Sequence, residues 1–216
     1  MSSLRFRYQT IEFGATDIHV RCLRDNQEFS DDAGIAARLG ISSASWPLFG
    51  IVWASGQVLA AEMYNYDIAN KRILEVGCGI ALASLVLNHR HADITATDYH
   101  PEAEAFLAIN TELNHDKKIP FMRTGWSDEI SELGKFDVII GSDILYESEH
   151  VDLLSAFIDQ HAAEHCEVIL VDPGRGHHAK FSKKMLALGY SHQQHKPVQT
   201  IDADYAFNGQ ILRYQR

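Results

Sequence analysis

Hydrophobic and polar positions along this chain follow two periods, one typical of strands and one typical of helices. From Leu4 to about Leu23, apolar residues alternate with charged ones around Gly14, which predicts a hairpin with one buried face. The apolar residues at 58, 59, 63 and 66 have the spacing that buries one face of a helix, so a helix is predicted over 55–66. A short helix is predicted over 31–39.

Beyond residue 72 the pattern alternates regularly between short apolar runs and helical segments. Strands are predicted over 73–77, 93–98, 119–122, 136–141, 167–172, 191–198 and 208–215, and helices over 81–89, 101–114, 149–162 and 176–188. Repeated βαβ units predict an α/β fold, with a parallel sheet covered by helices on both faces. We therefore divide the chain into an N-terminal appendage of hairpin and short helix, 1–45, and one main domain, 46–216.

Composition narrows the class of protein. The chain has 216 residues, 46% of them hydrophobic, and a formal net charge of -10, which argues against nucleic acid as a partner. The N-terminus has no apolar h-region and no stretch reaches the roughly 18 apolar residues of a membrane span, so we expect a cytoplasmic protein with no membrane partner. The oligomeric state is not predicted.

The cysteines and histidines do not form a recognisable metal-binding pattern. Three distant cysteines without C-x-x-C spacing indicate reduced thiols. Histidines cluster at 89–91, 176–178 and 192–195, but no carboxylate or cysteine lies at convincing ligand spacing. No metal is assigned.

The turn "ILEVGCGIALAS" (73–84) carries the first chemical signal. Gly77 and Gly79 follow a buried strand and precede a helix, where glycine lets the backbone approach a ligand closely. Asp98 ends the next strand, a position from which a carboxylate accepts both hydroxyls of a ribose. The third glycine of the dinucleotide pattern would fall at 82, where the chain has leucine, and this argues against NAD or FAD.

A second signal, "SDILYE" (142–147), follows the strand predicted over 136–141. Asp143 and Tyr146 come directly after the buried run, and ligands of open α/β sheets bind beyond the carboxyl ends of the strands. Both side chains are therefore predicted to face the ligand. Asp172 and Arg175 in "VDPGR" reach the same rim, where they contact substrate or shape the turn. The chain has no G-x-S-x-G elbow, which argues against a hydrolase.

The E-x-G-x-G-x-A loop, with Glu75, Gly77, Gly79 and Ala81, resembles the first motif of class I S-adenosylmethionine-dependent methyltransferases, many of which have glycine in place of Ala81. The blocks "WPLFGIVWASGQVLAAEM" (46–63), "ATDYHPEAEAFLAINTELN" (96–114), "GWSDE" (125–129), "SDILYE" and "VDPGR" resemble methyltransferase family 16, a family of seven-strand protein lysine methyltransferases. Within it, the lysine methyltransferases of the electron transfer flavoprotein β-subunit have similar N-E-L-N and D-P-G-R stretches.

This resemblance implies a fold, a cofactor and a site. The fold is a Rossmann-like, doubly wound seven-strand sheet of order 3-2-1-4-5-7-6 with the last strand antiparallel. The cofactor is S-adenosylmethionine, which leaves as S-adenosylhomocysteine. The residues implied in cofactor binding are Trp53, Glu75, Gly77, Cys78, Gly79, Asp98, Tyr99, Trp126 and Ser142. The implied catalytic residues are Asp143, which captures and aims an amine, and Tyr146, which lines the channel.

The resemblance implies methyl transfer to a lysine side chain of a protein partner. Three alternatives stay open at this point: a small-molecule amine as acceptor, a protein histidine as acceptor, and a cofactor-binding module without catalysis. Asp143 as a true general base is a further alternative for the mechanism.

Overall fold

The computed structural model describes residues 5–25, 31–128, 132–197 and 207–216. Three positions of the sequence predictions lie outside the described residues: 4 in the predicted hairpin, 129 in the block "GWSDE" and 198 in the strand predicted over 191–198. The described strands are β1 Phe6–Phe13, β2 Thr16–Leu23, β3 Arg72–Val76, β4 Asp93–Asp98, β5 Phe121–Arg123, β6 Phe136–Ser142, β7 Ala162–Asp172, β8 Ser191–His195 and β9 Gln210–Gln215. The described helices are α1 Ile35–Arg38, α2 Ala54–Asn65, α3 Leu82–His89, α4 Ala103–Leu113, α5 His150–His161 and α6 His178–Ala187.

Seven strands form one sheet in the order β5-β4-β3-β6-β7-β9-β8. The strands from β5 to β7 are parallel, and β9 runs antiparallel between β7 and β8. Counted from β3, this is the predicted order 3-2-1-4-5-7-6 with the last strand antiparallel, so the predicted fold class is confirmed.

Both faces of the sheet are covered, so buried apolar residues of the central strands contribute to two cores. Ile73 of β3 belongs to the core on one face, while its neighbours Leu74 and Val76 belong to the core on the other. Val138 and Ile139 of β6 divide in the same way. Successive strand residues point to opposite faces, so two cores favour adjacent apolar residues over strict alternation.

Most predicted elements are present, with shifts at their ends. β7 begins at Ala162 instead of 167, across a register shift between Phe136 and Val138 of the neighbouring strand. Helix α6 begins at His178 instead of 176, because Gly176 has a φ of 89° that no helix accommodates. No described helix is both long and apolar enough to cross a membrane.

The N-terminal hairpin is joined to the main core. β1 and β2 pair antiparallel, and Ile18 and Val20 of β2 are buried in the same cluster as α2 and α3. On the edge of β2 away from β1, a side chain of α4 and the side chain of the residue that follows α4 take the place of a partner strand. Asn114 accepts from the His19 amide at 2.8 Å and donates to the His19 carbonyl at 2.8 Å, and Asn110 accepts from the Arg21 amide at 2.7 Å. The proposed division at residues 45 and 46 stays a prediction.

Candidate functional site

One large cavity of about 740 Å³ opens beyond the carboxyl ends of β3, β4 and β6. All eleven residues predicted for the site line this cavity: Trp53, Glu75, Gly77, Cys78, Gly79, Asp98, Tyr99, Trp126, Ser142, Asp143 and Tyr146. The structure therefore brings the predicted set together from five separate segments of the chain. The role of each residue stays a prediction.

The loop between β3 and α3 turns sharply at three positions. Gly77 and Gly79 have φ of 59° and 55°, and Ala81 has φ of 59°. A Cβ on Gly79 would lie 2.9 Å from the Phe49 carbonyl oxygen, so this glycine is also required by close backbone approach. Ala81, which stands where many family members have glycine, holds a left-handed conformation that is strained for any residue with a Cβ.

Asp98 fixes this loop from the neighbouring strand. Its Oδ2 accepts from the Gly79 amide at 2.7 Å and its Oδ1 accepts from the His100 amide at 2.8 Å. Burial raises the pKa of Asp98, and these amides partly oppose that effect. A carboxylate has about four acceptor sites, so Asp98 retains capacity for a further donor from the cavity.

Glu75 lies beneath the loop and is 3% exposed. Its Oε2 accepts from the Ser84 amide at 2.9 Å and from the Ser84 hydroxyl, which ties the first turn of α3 to β3. Burial raises its pKa to about 7, against the lowering effect of the Ser84 bonds. These contacts show Glu75 supporting the loop, while its contact with a cofactor stays a prediction.

Two aromatic residues of the predicted site bind the segment 39–48, several residues of which line the cavity. The Trp53 indole donates to the Leu48 carbonyl at 2.9 Å, and the Tyr99 hydroxyl donates to the Leu39 carbonyl at 2.7 Å. Their polar atoms are therefore used by the protein, and their rings are what they present to the cavity.

The loop after β6 carries the acceptor side of the predicted site. Asp143 has a φ of 52°, and its amide donates to the Val171 carbonyl of β7 at 2.9 Å. Its two carboxylate oxygens accept from Nε and a terminal nitrogen of Arg175 at 2.8 and 2.7 Å. The pKa of Arg175 is raised, first by this hydrogen bonding.

Asp172 and Arg175, for which two roles were open, differ in the structure. Asp172 is 3% exposed, and its Oδ2 accepts from the Gly174 amide at 3.1 Å, which shapes the turn. Arg175 lines the cavity and reaches Asp143.

His150 was not identified from the sequence, although it lies between two predicted site residues. Its ring is 4.5 Å from the Tyr146 ring and 5.0 Å from the Trp126 ring, both in edge-on geometry, and its Nδ1 lies 3.0 Å from the Ile144 carbonyl oxygen. The available signal was its position four residues after Tyr146, at the first residue of α5.

Burial raises the pKa of Tyr146 to about 12, and nearby carboxylates add to this shift, so the phenol stays protonated near neutral pH.

Across the described ranges, no group of three histidine, cysteine, aspartate or glutamate residues has the arrangement of a metal site. The three cysteines are free and buried.

The cavity combines buried carboxylates, aromatic faces and one guanidinium, a set of groups suited to a polar organic ligand with a cationic part.

Comparison with known proteins identifies the family. The family model described as lysine methyltransferase matches residues 44–186. The electron transfer flavoprotein β-subunit lysine methyltransferase of Xenopus laevis is 29% identical over 140 residues, which are 63% of this chain and 55% of that protein. Protein N-lysine methyltransferase METTL21A of Danio rerio is 31% identical over 118 residues, or 50% of this chain and 54% of that protein.

Solved structures share the fold. Magnesium protoporphyrin IX methyltransferase from Synechocystis PCC 6803, solved with bound SAM, has a TM-score of 0.57 at 20% identity and covers 74% of this chain and 76% of its own. The chain spans about half the length of the curated relatives it matches. The resemblance inferred from the glycine loop and the D-x-x-Y block is confirmed, and the chain belongs to the lysine methyltransferase family.

Proposed function

We propose that this protein transfers a methyl group from S-adenosylmethionine to a lysine side-chain amine of another protein. The observation that carries the proposal is the convergence in one cavity of the loop anchored by Asp98 with Asp143 and Tyr146. The loop and Asp98 suit a nucleoside that carries an amino acid, whereas Asp143 and Tyr146 suit an amine acceptor. Family membership supports the same reaction, as do the names of the lysine methyltransferases that resemble this chain.

The cavity residues fit S-adenosylmethionine. Asp98 has acceptor capacity left for ribose hydroxyls, and Tyr99 and Trp126 line the same cavity, where their rings would cover an adenine. The aromatic rings also favour a sulfonium through cation–π attraction. When bound, the cofactor supplies a sulfonium-activated methyl whose bond to sulfur breaks with both electrons staying on sulfur, while the amine nitrogen supplies the new bonding pair.

The protein's own contribution to an in-line displacement is to hold the amine in the correct direction. Asp143, held by the Val171 carbonyl and by Arg175, would accept an N–H of the amine and aim it. Tyr146, which stays protonated near neutral pH, would line the channel and offer one hydrogen bond. The amine needs a free lone pair at transfer, so the lysine proton would leave to solvent before the new bond forms, and no side chain is assigned as general base.

The test is label transfer. The purified protein is incubated with methyl-labelled S-adenosylmethionine and an extract of its own host lacking this gene, with Asp143→Ala as control. We expect a discrete labelled protein band that is absent with the variant, and methyl-lysine on hydrolysis of that band. Label confined to small molecules would instead support a small amine acceptor, and methyl-histidine would move the acceptor to histidine.

We also propose a cytoplasmic location without nucleic acid as partner. Three unpaired buried thiols suit a reducing compartment, and a net charge of -10 repels a phosphate backbone. Fractionation of cells that express the tagged protein should recover it with cytosolic markers. Recovery with membranes or with nucleic acid would contradict this location.

A further inference from the structure

Arg175 is the only lysine or arginine among the described residues that line the cavity. It lies on the loop after β7, which the bond between Asp172 and the Gly174 amide shapes. Its side chain is 48% exposed, whereas that of its partner Asp143 is 13% exposed. The exposed guanidinium thus covers the inner carboxylate that we assign to the acceptor amine.

We propose that Arg175 is a positioning residue for methyl transfer: by neutralising Asp143, it lets that carboxylate aim the lysine amine without holding it as an ammonium ion. This inference rests on the proposed function. It assigns to Arg175 a role in the protonation state of the nucleophile, in addition to shaping the loop.

The geometry allows Asp143 to serve both partners at once. Arg175 donates one N–H to each carboxylate oxygen, at 2.8 and 2.7 Å. An ionised carboxylate has about four acceptor sites, so roughly two remain after this bidentate contact. One of them can accept an N–H from a neutral amine whose lone pair points elsewhere. The guanidinium therefore need not leave when the substrate enters.

The electrostatic consequence follows from the charges around the amine position. A lone carboxylate a few ångströms away would stabilise the ammonium form, which has no lone pair for transfer. A guanidinium fixed on the same carboxylate cancels most of that field. The ionisable residues that line the cavity include Asp98, Asp128, Asp143, Tyr146, His150 and Arg175, with Glu147 beside His150 and Asp172 acting electrostatically on Arg175. Arg175 is the single permanent cation in this set.

The first experiment measures the pH dependence of kcat with the acceptor protein identified by label transfer, purified and used at saturation. Arg175→Gln removes the charge, and Arg175→Lys keeps a cation without the fork. We expect Arg175→Gln to move the rise of kcat about one pH unit higher, which lowers kcat at pH 7 about tenfold, with KM unchanged or lower. Arg175→Lys should restore much of the shift.

The matched control is Lys184→Gln. Lys184 pairs with Asp152 at 2.8 Å between α6 and α5, its side chain is also 48% exposed, and it does not line the cavity. Its pH profile should match that of the unmodified protein. Binding of S-adenosylhomocysteine, measured by calorimetry, should stay within about threefold in all three variants, which shows that the cavity is intact.

The second experiment needs no turnover. Binding of n-butylammonium at pH 7 is measured by calorimetry in the presence of S-adenosylhomocysteine. Since Arg175→Gln leaves the carboxylate of Asp143 unneutralised, we expect that variant to bind the cation at least about fivefold more tightly than the unmodified protein. Asp143→Asn added to Arg175→Gln should abolish the gain.

The outcomes separate this inference from the proposed function. An unmodified protein that labels no protein at any pH would overturn the proposed function and the inference with it. Turnover with an unchanged pH profile in Arg175→Gln, together with a lower KM, would overturn the inference alone and make Arg175 a competitor of the substrate. Absence of n-butylammonium binding to Arg175→Gln would also count against the inference.

Discussion

Two carboxylates in one cavity have different partners and therefore different expected functions. Asp98 binds backbone amides of the glycine loop and of the chain after β4, so its position is fixed by the fold. Asp143 binds a side chain instead of the backbone, the guanidinium of Arg175, whose side chain is half exposed. The first arrangement suits a permanent ligand contact, and the second suits a group that responds to an incoming amine.

This difference predicts that Asp98→Ala loses affinity for the cofactor product, whereas Asp143→Ala loses turnover. Asp98→Ala should weaken binding of S-adenosylhomocysteine about tenfold or more, since a hydrogen bond to a charged group contributes roughly 1.5–3 kcal/mol. Asp143→Ala should bind it within about threefold and show no turnover. Calorimetry measures the first effect and label transfer the second. Equal loss of binding in both variants, with circular dichroism unchanged, would mean that the acceptor side has been misplaced.

Glu75 makes stability depend on pH. Its pKa is raised to about 7 in the folded protein, chiefly by burial, whereas a glutamate in an unfolded chain titrates near 4.3. Between these two values the folded state binds a proton that the unfolded state has released. Stability contributed by the neutral carboxyl is therefore lost as pH rises through this window.

Glu75→Gln keeps the shape and an acceptor for Ser84 but cannot ionise. The unfolding free energy of the unmodified protein, minus that of Glu75→Gln, should fall by about 2–3 kcal/mol between pH 5 and pH 8. Urea unfolding of both proteins at four pH values measures this difference. A difference that does not change with pH would show that Glu75 is ionised throughout.

At the scale of elements, α4 acts as a side-chain substitute for a strand. Asn110 and Asn114, one helical turn apart, bond the backbone of β2 at Arg21 and His19. Backbone groups at a strand edge need partners, and an asparagine amide has the same donor and acceptor as a peptide group. This contact joins the N-terminal hairpin to the main domain.

Removing the buried member of this pair should loosen the hairpin. Asn110 is 0% exposed, and Asn110→Ala would leave the Arg21 amide without its acceptor, at a cost of about 1–3 kcal/mol. Urea unfolding measures the loss, and hydrogen exchange should show lower protection at Arg21. Asn65→Ala, at an exposed position of α2, is the control. Equal stability of the two variants would mean that the hairpin is held by its apolar contacts alone.

At the scale of the whole molecule, a ligand in the cavity should stabilise the entire fold. The lining residues come from the segment before α2, from the glycine loop, and from the loops after β4, β5, β6 and β7. A ligand that contacts all of these segments favours the folded state by mass action.

A thermal shift assay tests this and the choice of cofactor together. S-adenosylhomocysteine at about 100 times its Kd should add about 2.7 kcal/mol, which raises Tm by roughly 5–10 °C for a chain of this size. NAD at the same concentration should cause no shift, because leucine stands at position 82 where the dinucleotide pattern has glycine. A shift with NAD of similar size would reject that reasoning.

From the sequence came the alternation of strands and helices, and its resemblance to a family supplied the sheet order and the candidate site residues. Short, mostly apolar runs such as "ILEV" and "VII", separated by helical segments, favour central strands covered on both faces, and the positions of Gly77, Gly79, Asp98 and Asp143 at strand ends follow from that fold. These properties are local in the chain or follow from a topology that the family shares.

Only the tertiary structure decided which groups meet across segments. Arg175 is 32 residues from Asp143, and Asn114 is 95 residues from His19. Neither pairing has a period or a spacing that marks it in the sequence. Long-range contacts depend on how neighbouring strands place their loops and on how a helix lies against an edge. The ion pair between Asp143 and Arg175 in the cavity is therefore a property of the fold, although both residues can be read in the sequence.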